Sequence, residues 1–172
     1  MRLSLYKQVA LSLVLLTCLG AGPCSSVNLL KSFSRALASS RPLIDSLVAS
    51  GAITNPQASA IATDFDGGAK CGLALQNEFA SAQTRADKFA AAARAQTCFR
   101  VILDRHHFEA HPRVQTAANI AKGILDSLVI FYSDSSDAVD GPRRAPVRRD
   151  EKAFEAELEQ QVKALKEAMK GN

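Results

Sequence analysis

A stripe of seven small and apolar residues constrains the fold of this chain more than any other feature. The stripe consists of Ala58, Ile61, Phe65, Gly68, Gly72, Leu75 and Phe79. Successive members are 3, 4, 3, 4, 3 and 4 residues apart. This spacing is typical of one face of a long α-helix that packs lengthwise against its neighbours. Two glycines on that face cost the helix roughly 1 kcal/mol each relative to Ala. We therefore expect them to allow the close approach of another helix backbone.

Helical periodicity, with residues that start and stop helices, continues on both sides of the stripe. The first predicted helix covers about 26–37, and the second begins after a Ser40 cap, with Pro42 in its first turn, and stops at Gly51. The third begins after an Asn55 cap with Pro56 and ends at a break at 81–84. The last two cover about 85–109 and Pro112 to about Tyr132. No segment alternates with period two over a useful length, so we expect no sheet. The predicted fold class is all-α, with residues 25–132 forming an antiparallel bundle of about four to five helices.

The first residues, "MRLSLYKQVALSLVLLTCLGAGPCSS", have the order of an export signal. Arg2 and Lys7 precede an apolar run over about 9–19, and small residues follow. The run is short for a membrane span, which needs about 20 apolar residues. We predict export to the periplasm or cell envelope. Three fates of residues 1–24 stay open: cleavage, lipid attachment at Cys24, or retention as a membrane anchor.

Two cysteines follow the export segment, at positions compatible with a disulfide. An oxidising compartment permits such a bond. The mean position of Cys71 and Cys98 is 84.5, close to the predicted break, so in an antiparallel hairpin they would lie at the same height. A bridge there would contribute roughly 3–4 kcal/mol in the chain-entropy model. The alternative is two buried free thiols in Ala-rich helices.

The C-terminal part changes character twice. Residues 133–150, "SDSSDAVDGPRRAPVRRD", are typical of a flexible linker. Residues 151–172 predict a charged, tethered amphipathic helix with an apolar stripe of Phe154, Leu158, Val162, Leu165 and Met169. The stripe needs a cover, which would be the bundle, a second copy or another protein. We predict a protein partner or self-association through 151–170, with membrane-surface association as a further possibility.

Net charge gives no indication of nucleic-acid binding. The formal charge is +4, and without Arg2 and Lys7 the count is 19 basic against 17 acidic residues, or +2. A nucleic-acid-binding domain usually carries a much stronger basic excess on one face. We therefore expect no nucleic-acid partner.

All three histidines lie within "DRHHFEAHPR", residues 104–113. The candidate metal ligands or acid–base groups of this segment are His106, His107, His111, Asp104 and Glu109. Proline disfavours helical angles in the residue before it, so we expect His111 in a connection rather than one helical turn after His107. We expect His106 and His107 at a helix end, with His106 partly inward. Local capping or packing, a metal site and a pH-sensitive joint are the open interpretations.

The segment "IATDFDGGAK", residues 61–70, resembles the Asp-x-Asp-Gly nucleophile motif of haloacid-dehalogenase-like phosphatases over about five residues. In that family the motif follows a buried strand, whereas the residues before Asp64 are helix-like here, and no later acidic pair is present to hold magnesium. A calcium loop starting at Asp64 would need Glu at its twelfth position, which is Leu75. We therefore interpret Asp64 and Asp66 as solvated helix acids beside a close-packing glycine pair.

These patterns together predict an exported or envelope-anchored small helical protein with a binding or structural role, without catalysis and without a cofactor. The alternative is a metal-binding or hydrolytic helical protein that uses His106, His107 and His111.

Overall fold

The computed structural model describes residues 23–133 and 150–170, with side chains from Ser26 onward. The predicted export segment, the Cys24 side chain and residues 134–149 of the predicted linker lie outside the described residues. The described residues form six α-helices, which are α1 (Pro23–Ala38), α2 (Arg41–Ala49), α3 (Asn55–Ser81), α4 (Arg85–Leu103), α5 (Pro112–Ser133) and α6 (Glu151–Ala168). A 3-10 turn, His107–Ala110, stands between α4 and α5, and these residues contain no strand. The predicted all-α bundle is confirmed.

The helices close into a ring around one core. Helix α1 packs on α3, α3 on α4, α4 on α5, α5 on α6, and α6 returns to α1. Four phenylalanines are fully buried at the centre of this ring: Phe33, Phe65, Phe99 and Phe131. The short helix α2 packs on α3. Each long helix therefore buries one face and exposes the other, which matches the predicted amphipathic spacing.

Helix α1 begins three residues before its predicted start, and from α2 onward the helix starts agree with the predictions to within one residue. Helix α3 begins with a capping box in which Gln57 Oε1 accepts from the Thr54 backbone N–H at 2.8 Å and Thr54 Oγ1 accepts from the Gln57 N–H at 3.4 Å. The predicted cap at Asn55 is therefore wrong by one position. Ser40 does precede α2, but its backbone is already helical (φ −70°, ψ −15°), so its hydroxyl makes no capping hydrogen bond.

The glycines of the long stripe leave room for phenylalanine rings to pack closely against α3. A Cβ added at Gly68 would lie 2.6 Å from Phe99 Cε2. One added at Gly72 would lie 3.1 Å from the Phe33 ring and 3.2 Å from Ser34 Cβ. The sequence predicted the close approach of another helix backbone, and the atoms nearest to these two positions belong instead to side chains of α4 and α1.

The C-terminal helix α6 lays its apolar stripe on the bundle itself. Leu158, Val162, Leu165 and Met169 are each at most 3% exposed, and the helix packs against α1 and α5. Phe154 stacks on Phe131 with ring centroids 3.9 Å apart. Of the three covers that the sequence left open, the bundle is the one in the structure, so this stripe is not free for a partner while α6 stays in place.

Candidate functional site

The histidine segment forms a turn between α4 and α5. Helix α4 ends at Leu103, so the predicted extension to residue 109 is wrong. His106 adopts a left-handed backbone conformation (φ 61°), which reverses the chain and ends the helix. Phe108 then inserts into the core, 3% exposed, with its ring 4.9 Å from that of Phe65 and 6.4 Å from that of Phe99.

The structure disperses the five predicted site residues around this turn. Asp104 is exposed at the end of α4. The His106 side chain is 74% exposed, contrary to the expected inward packing, and its Nδ1 lies 3.2 Å from Glu109 Oε1. His111 is extended, as expected for a residue before proline, and its Nδ1 accepts from the Arg113 backbone N–H at 3.2 Å. His107 turns the other way, toward α3.

No group of three or more His, Cys, Asp or Glu side chains in the described ranges converges so as to hold a metal ion. A tetrahedral site needs at least three protein ligands about 2.0–2.2 Å from one point. The described geometry therefore does not bring the predicted set of His106, His107, His111, Asp104 and Glu109 together around one point. The left-handed turn at His106 is the physical reason, because it sends neighbouring imidazoles in different directions.

His107 instead pairs with a buried carboxylate that the sequence interpretation set aside. The Asp64 side chain is 1% exposed. Its Oδ2 lies 2.8 Å from His107 Nδ1, and its Oδ1 accepts from Arg105 Nη1 at 3.2 Å. The interpretation of Asp64 as a solvated acid is wrong. It holds for Asp66, which is 64% exposed and pairs with Lys70.

This arrangement joins the turn to α3 and orients one imidazole. A buried carboxylate is stable only when its oxygens are bonded, and here both bonds come from the turn. In the tautomer that donates Nδ1–H to this carboxylate, Nε2 carries no proton. The His107 side chain is 46% exposed, so this tautomer presents an oriented nitrogen at the surface.

The sequence did contain a signal for Asp64. It lies three residues after Ile61 and four before Gly68, so it occupies the apolar face of α3. A charged residue on such a face needs a buried partner.

A second feature, which the sequence analysis missed, lies at the other end of the α3–α4 hairpin. Position 79 is 15 residues beyond position 64, or about 22 Å along the helix axis. There the start of α1 and the connection from α3 to α4 enclose a half-open recess of about 510 Å³. Its walls are apolar at Val27, Phe79 and Ala80 and polar at Ser26, Asn28 and Lys88.

An aromatic cluster lies behind this recess. Tyr132, 3% exposed, contacts Phe79 edge to face with ring centroids 5.4 Å apart. The Arg85 guanidinium lies 4.6 Å from the Phe131 ring centroid and 5.3 Å from that of Tyr132, and it donates to the Phe131 carbonyl. Lys88 Nζ lies 5.5 Å from the Tyr132 centroid. Two cations therefore lie on aromatic faces at this end of the bundle, and Glu151 and Glu155 lie close enough to raise the pKa of Tyr132.

The Tyr132 hydroxyl is buried and protonated. Burial raises the pKa of Tyr132 to about 12, and the charge of Glu151 adds to the rise. A hydrogen bond with Ser26 opposes this rise in pKa, and the Ser26 hydroxyl also donates to Glu155 Oε1 at 2.6 Å.

Among the described residues, no helix combines the length and the apolar character that crossing a bilayer requires. Comparison of the chain with protein-family models, with curated proteins and with solved structures finds no match.

Proposed function

We propose that this protein is exported, is tied by the Cys71–Cys98 disulfide, and acts by binding rather than by catalysis. The observation that carries the proposal is the cysteine pair, which joins α3 to α4 with the sulfur atoms 1.95 Å apart. Cys98 lies on the exposed side of α4. An exposed bond is open to thiol exchange, and the cytosol keeps such pairs reduced. A permanent bridge at this position therefore favours an oxidising compartment.

The export signal supports the same proposal. A basic start, a short apolar run and small residues stand before α1, in residues 1–22. The export signal and the Cys71–Cys98 pair lie in different parts of the chain and each favours a location outside the cytosol, so they support export independently.

The recess supports the binding role. Ligand sites are typically concave, mostly apolar spaces of about 300–1,000 Å³ with a few oriented polar groups. A recess of about 510 Å³ whose lining includes the apolar Val27 and Phe79 and the polar Ser26 and Lys88 has this character. Association through 151–170 stays a further proposal. It would use the charged outer face of α6, since the apolar stripe lies on the bundle.

Fusion of residues 1–30 to a reporter enzyme that is active only after export tests the localisation. We expect reporter activity, and we expect it to be lost when Leu13 and Leu16 are replaced by Arg, because charges interrupt the apolar run. A fusion that stays inactive in the cytosol, with full-length reporter present, would contradict the proposal.

A second candidate function, acid–base chemistry at His107, is favoured by its bond to Asp64. An imidazole held by a carboxylate can accept a proton at Nε2. Hydrolysis of an activated ester would test it. If His107→Gln lowered the rate and His106→Gln did not, the oriented imidazole would be active; equal rates in both variants and wild type would exclude this role.

A further inference from the structure

We propose that Cys98 is a site of reversible S-thiolation, at which a low-molecular-weight thiol opens the disulfide and Cys71 closes it again. This inference goes beyond the proposed binding role, which needs only that the bridge is present. It depends on three features of the hairpin formed by α3 and α4. These are the unequal burial of the two cysteines, the surroundings of each, and the contacts that hold the two helices together without the bridge.

The first feature is the unequal burial of the bonded cysteines. Cys71 is 4% exposed and belongs to the core, whereas Cys98 lies on the exposed side of α4. Thiol–disulfide exchange begins when a thiolate attacks one of the two sulfur atoms, so its direction depends on which sulfur the thiolate can reach. An external thiolate therefore attacks at Cys98, and Cys71 is the sulfur that leaves.

The second feature is the surroundings of each cysteine. Arg94 and Val101 lie one helical turn from Cys98 on either side, and both are exposed. Leu75, one turn after Cys71, is buried. A small thiol thus has an open approach along α4, whereas the core surrounds the other sulfur. Because a free cysteine packs as a small apolar side chain, Cys71 can stay in the core after the bond breaks.

The exchange is balanced by the thiol alone. The attacking thiolate forms a new S–S bond to Cys98 Sγ, and the old bond breaks with its electron pair on Cys71 Sγ. The external sulfur is oxidised into the mixed disulfide, and Cys71 is reduced and takes up a proton from water. In the return step, deprotonated Cys71 attacks Cys98 Sγ and expels the external thiolate.

The third feature is the set of contacts that remains when the bridge opens. On one side of the bridge Arg94 Nη2 donates to Glu78 Oε2 at 2.6 Å, and on the other Arg105 Nη1 donates to Asp64 Oδ1 at 3.2 Å. Phe99, 1% exposed, packs against α3 between them. These contacts keep the two cysteines close together, so the return step is intramolecular and has a high effective concentration.

Mapping of the adduct on the oxidised wild-type protein tests the direction of exchange. After brief treatment with reduced glutathione, an acid quench and blocking with N-ethylmaleimide in urea, trypsin without reductant releases peptides 71–85 and 95–100. We expect glutathione on 95–100, at Cys98, and the blocking group on 71–85, at Cys71. Glutathione on Cys71, or on both cysteines equally, would overturn the proposal.

Single-cysteine variants measure the same asymmetry when the mixed disulfide cannot close. Cys71→Ser leaves Cys98, and Cys98→Ser leaves Cys71, and glutathione disulfide is added to each variant. The adduct on the remaining cysteine should form at least about tenfold faster at Cys98 than at Cys71. In concentrated urea the two rates should be alike, because the fold then protects neither thiol. Equal rates under native conditions would contradict the assignment.

The far-ultraviolet circular dichroism of reduced wild type tests the third feature. We expect the helix signal to persist after reduction, because the contacts on both sides of the bridge remain. Loss of the helix signal would overturn the proposal, since Cys71 would no longer be held beside Cys98. None of these outcomes bears on export, which the reporter fusion tests separately.

Discussion

Replacement of Gly68 by Ala tests whether the glycines of α3 are there for close packing. The added Cβ would lie 2.6 Å from Phe99 Cε2 and 3.5 Å from Leu37 Cδ1. Phe99 is 1% exposed, so its ring has no solvent to move into. We expect overpacking to cost about 2–3 kcal/mol, against a gain of about 1 kcal/mol in helix propensity. The net loss of unfolding free energy is about 1–2 kcal/mol.

Gly123→Ala is the matched control, because it makes the same change inside another helix. A Cβ at Gly123 on α5 would meet nothing within 4 Å. The propensity gain then stands alone, and we expect stabilisation of up to about 1 kcal/mol. The two variants should therefore shift in opposite directions, with a difference of about 2–3 kcal/mol between them.

Urea unfolding followed by far-ultraviolet circular dichroism measures both variants. The chain has no Trp, so helix content is a better probe than fluorescence. An unchanged slope of unfolding free energy against urea would show that midpoint shifts report stability. If Gly68→Ala and Gly123→Ala were stabilised alike, the close-packing explanation of the stripe would be refuted.

Three further predictions concern the turn, the tyrosine and the C-terminal helix. Asp64→Asn should lose about 1–3 kcal/mol of stability, because it removes the charge bonded by Arg105 and His107. At the exposed Asp66, the same change should alter stability by less than about 0.5 kcal/mol. Equal effects of the two substitutions in urea unfolding would contradict the buried pairing of Asp64. The pKa of Tyr132 is about 12 in the folded protein, above the value of 10.0 in the unfolded chain. The contribution of this tyrosine to stability is therefore present below pH 10.0 and is lost as the pH rises to about 12. This loss should be absent in Tyr132→Phe, and identical alkaline unfolding of the two proteins would argue against the burial. Deletion of 151–172 uncovers the apolar surface under α6 and should cost several kcal/mol, comparable to the whole stability of a small domain. A truncated chain that keeps its melting temperature would show that α6 is not part of the core.

The helical periodicity of the sequence was enough to predict most of the fold. The stripe of α3, the start of α5 at Pro112 and the all-α class follow from spacing and local start signals, which depend on nearby residues. The hairpin position of Cys71 and Cys98 follows from symmetry about the break, and the structure has its break at 82–84, between α3 and α4. It brings the two sulfur atoms to bonding distance.

The candidate sites depend on contacts between distant residues, and there the predictions failed. The pairing of Asp64 with His107 spans 43 residues, and no local pattern indicates where α4 must end. The left-handed conformation of His106 is set by that pairing and by the burial of Phe108, not by a glycine in the sequence. The recess forms where α1 meets the α3–α4 connection, and helix propensity in one segment carries no information about this meeting.

Peptide mapping of the protein from its native compartment shows whether the exported protein carries the Cys71–Cys98 bridge. After blocking of free thiols, trypsin without reductant should release peptide 71–85 linked to peptide 95–100, and neither should carry the blocking group. Reduction should then separate the two peptides. Recovery of both peptides unlinked, with blocked thiols at Cys71 and Cys98, would show that the native protein lacks the bridge.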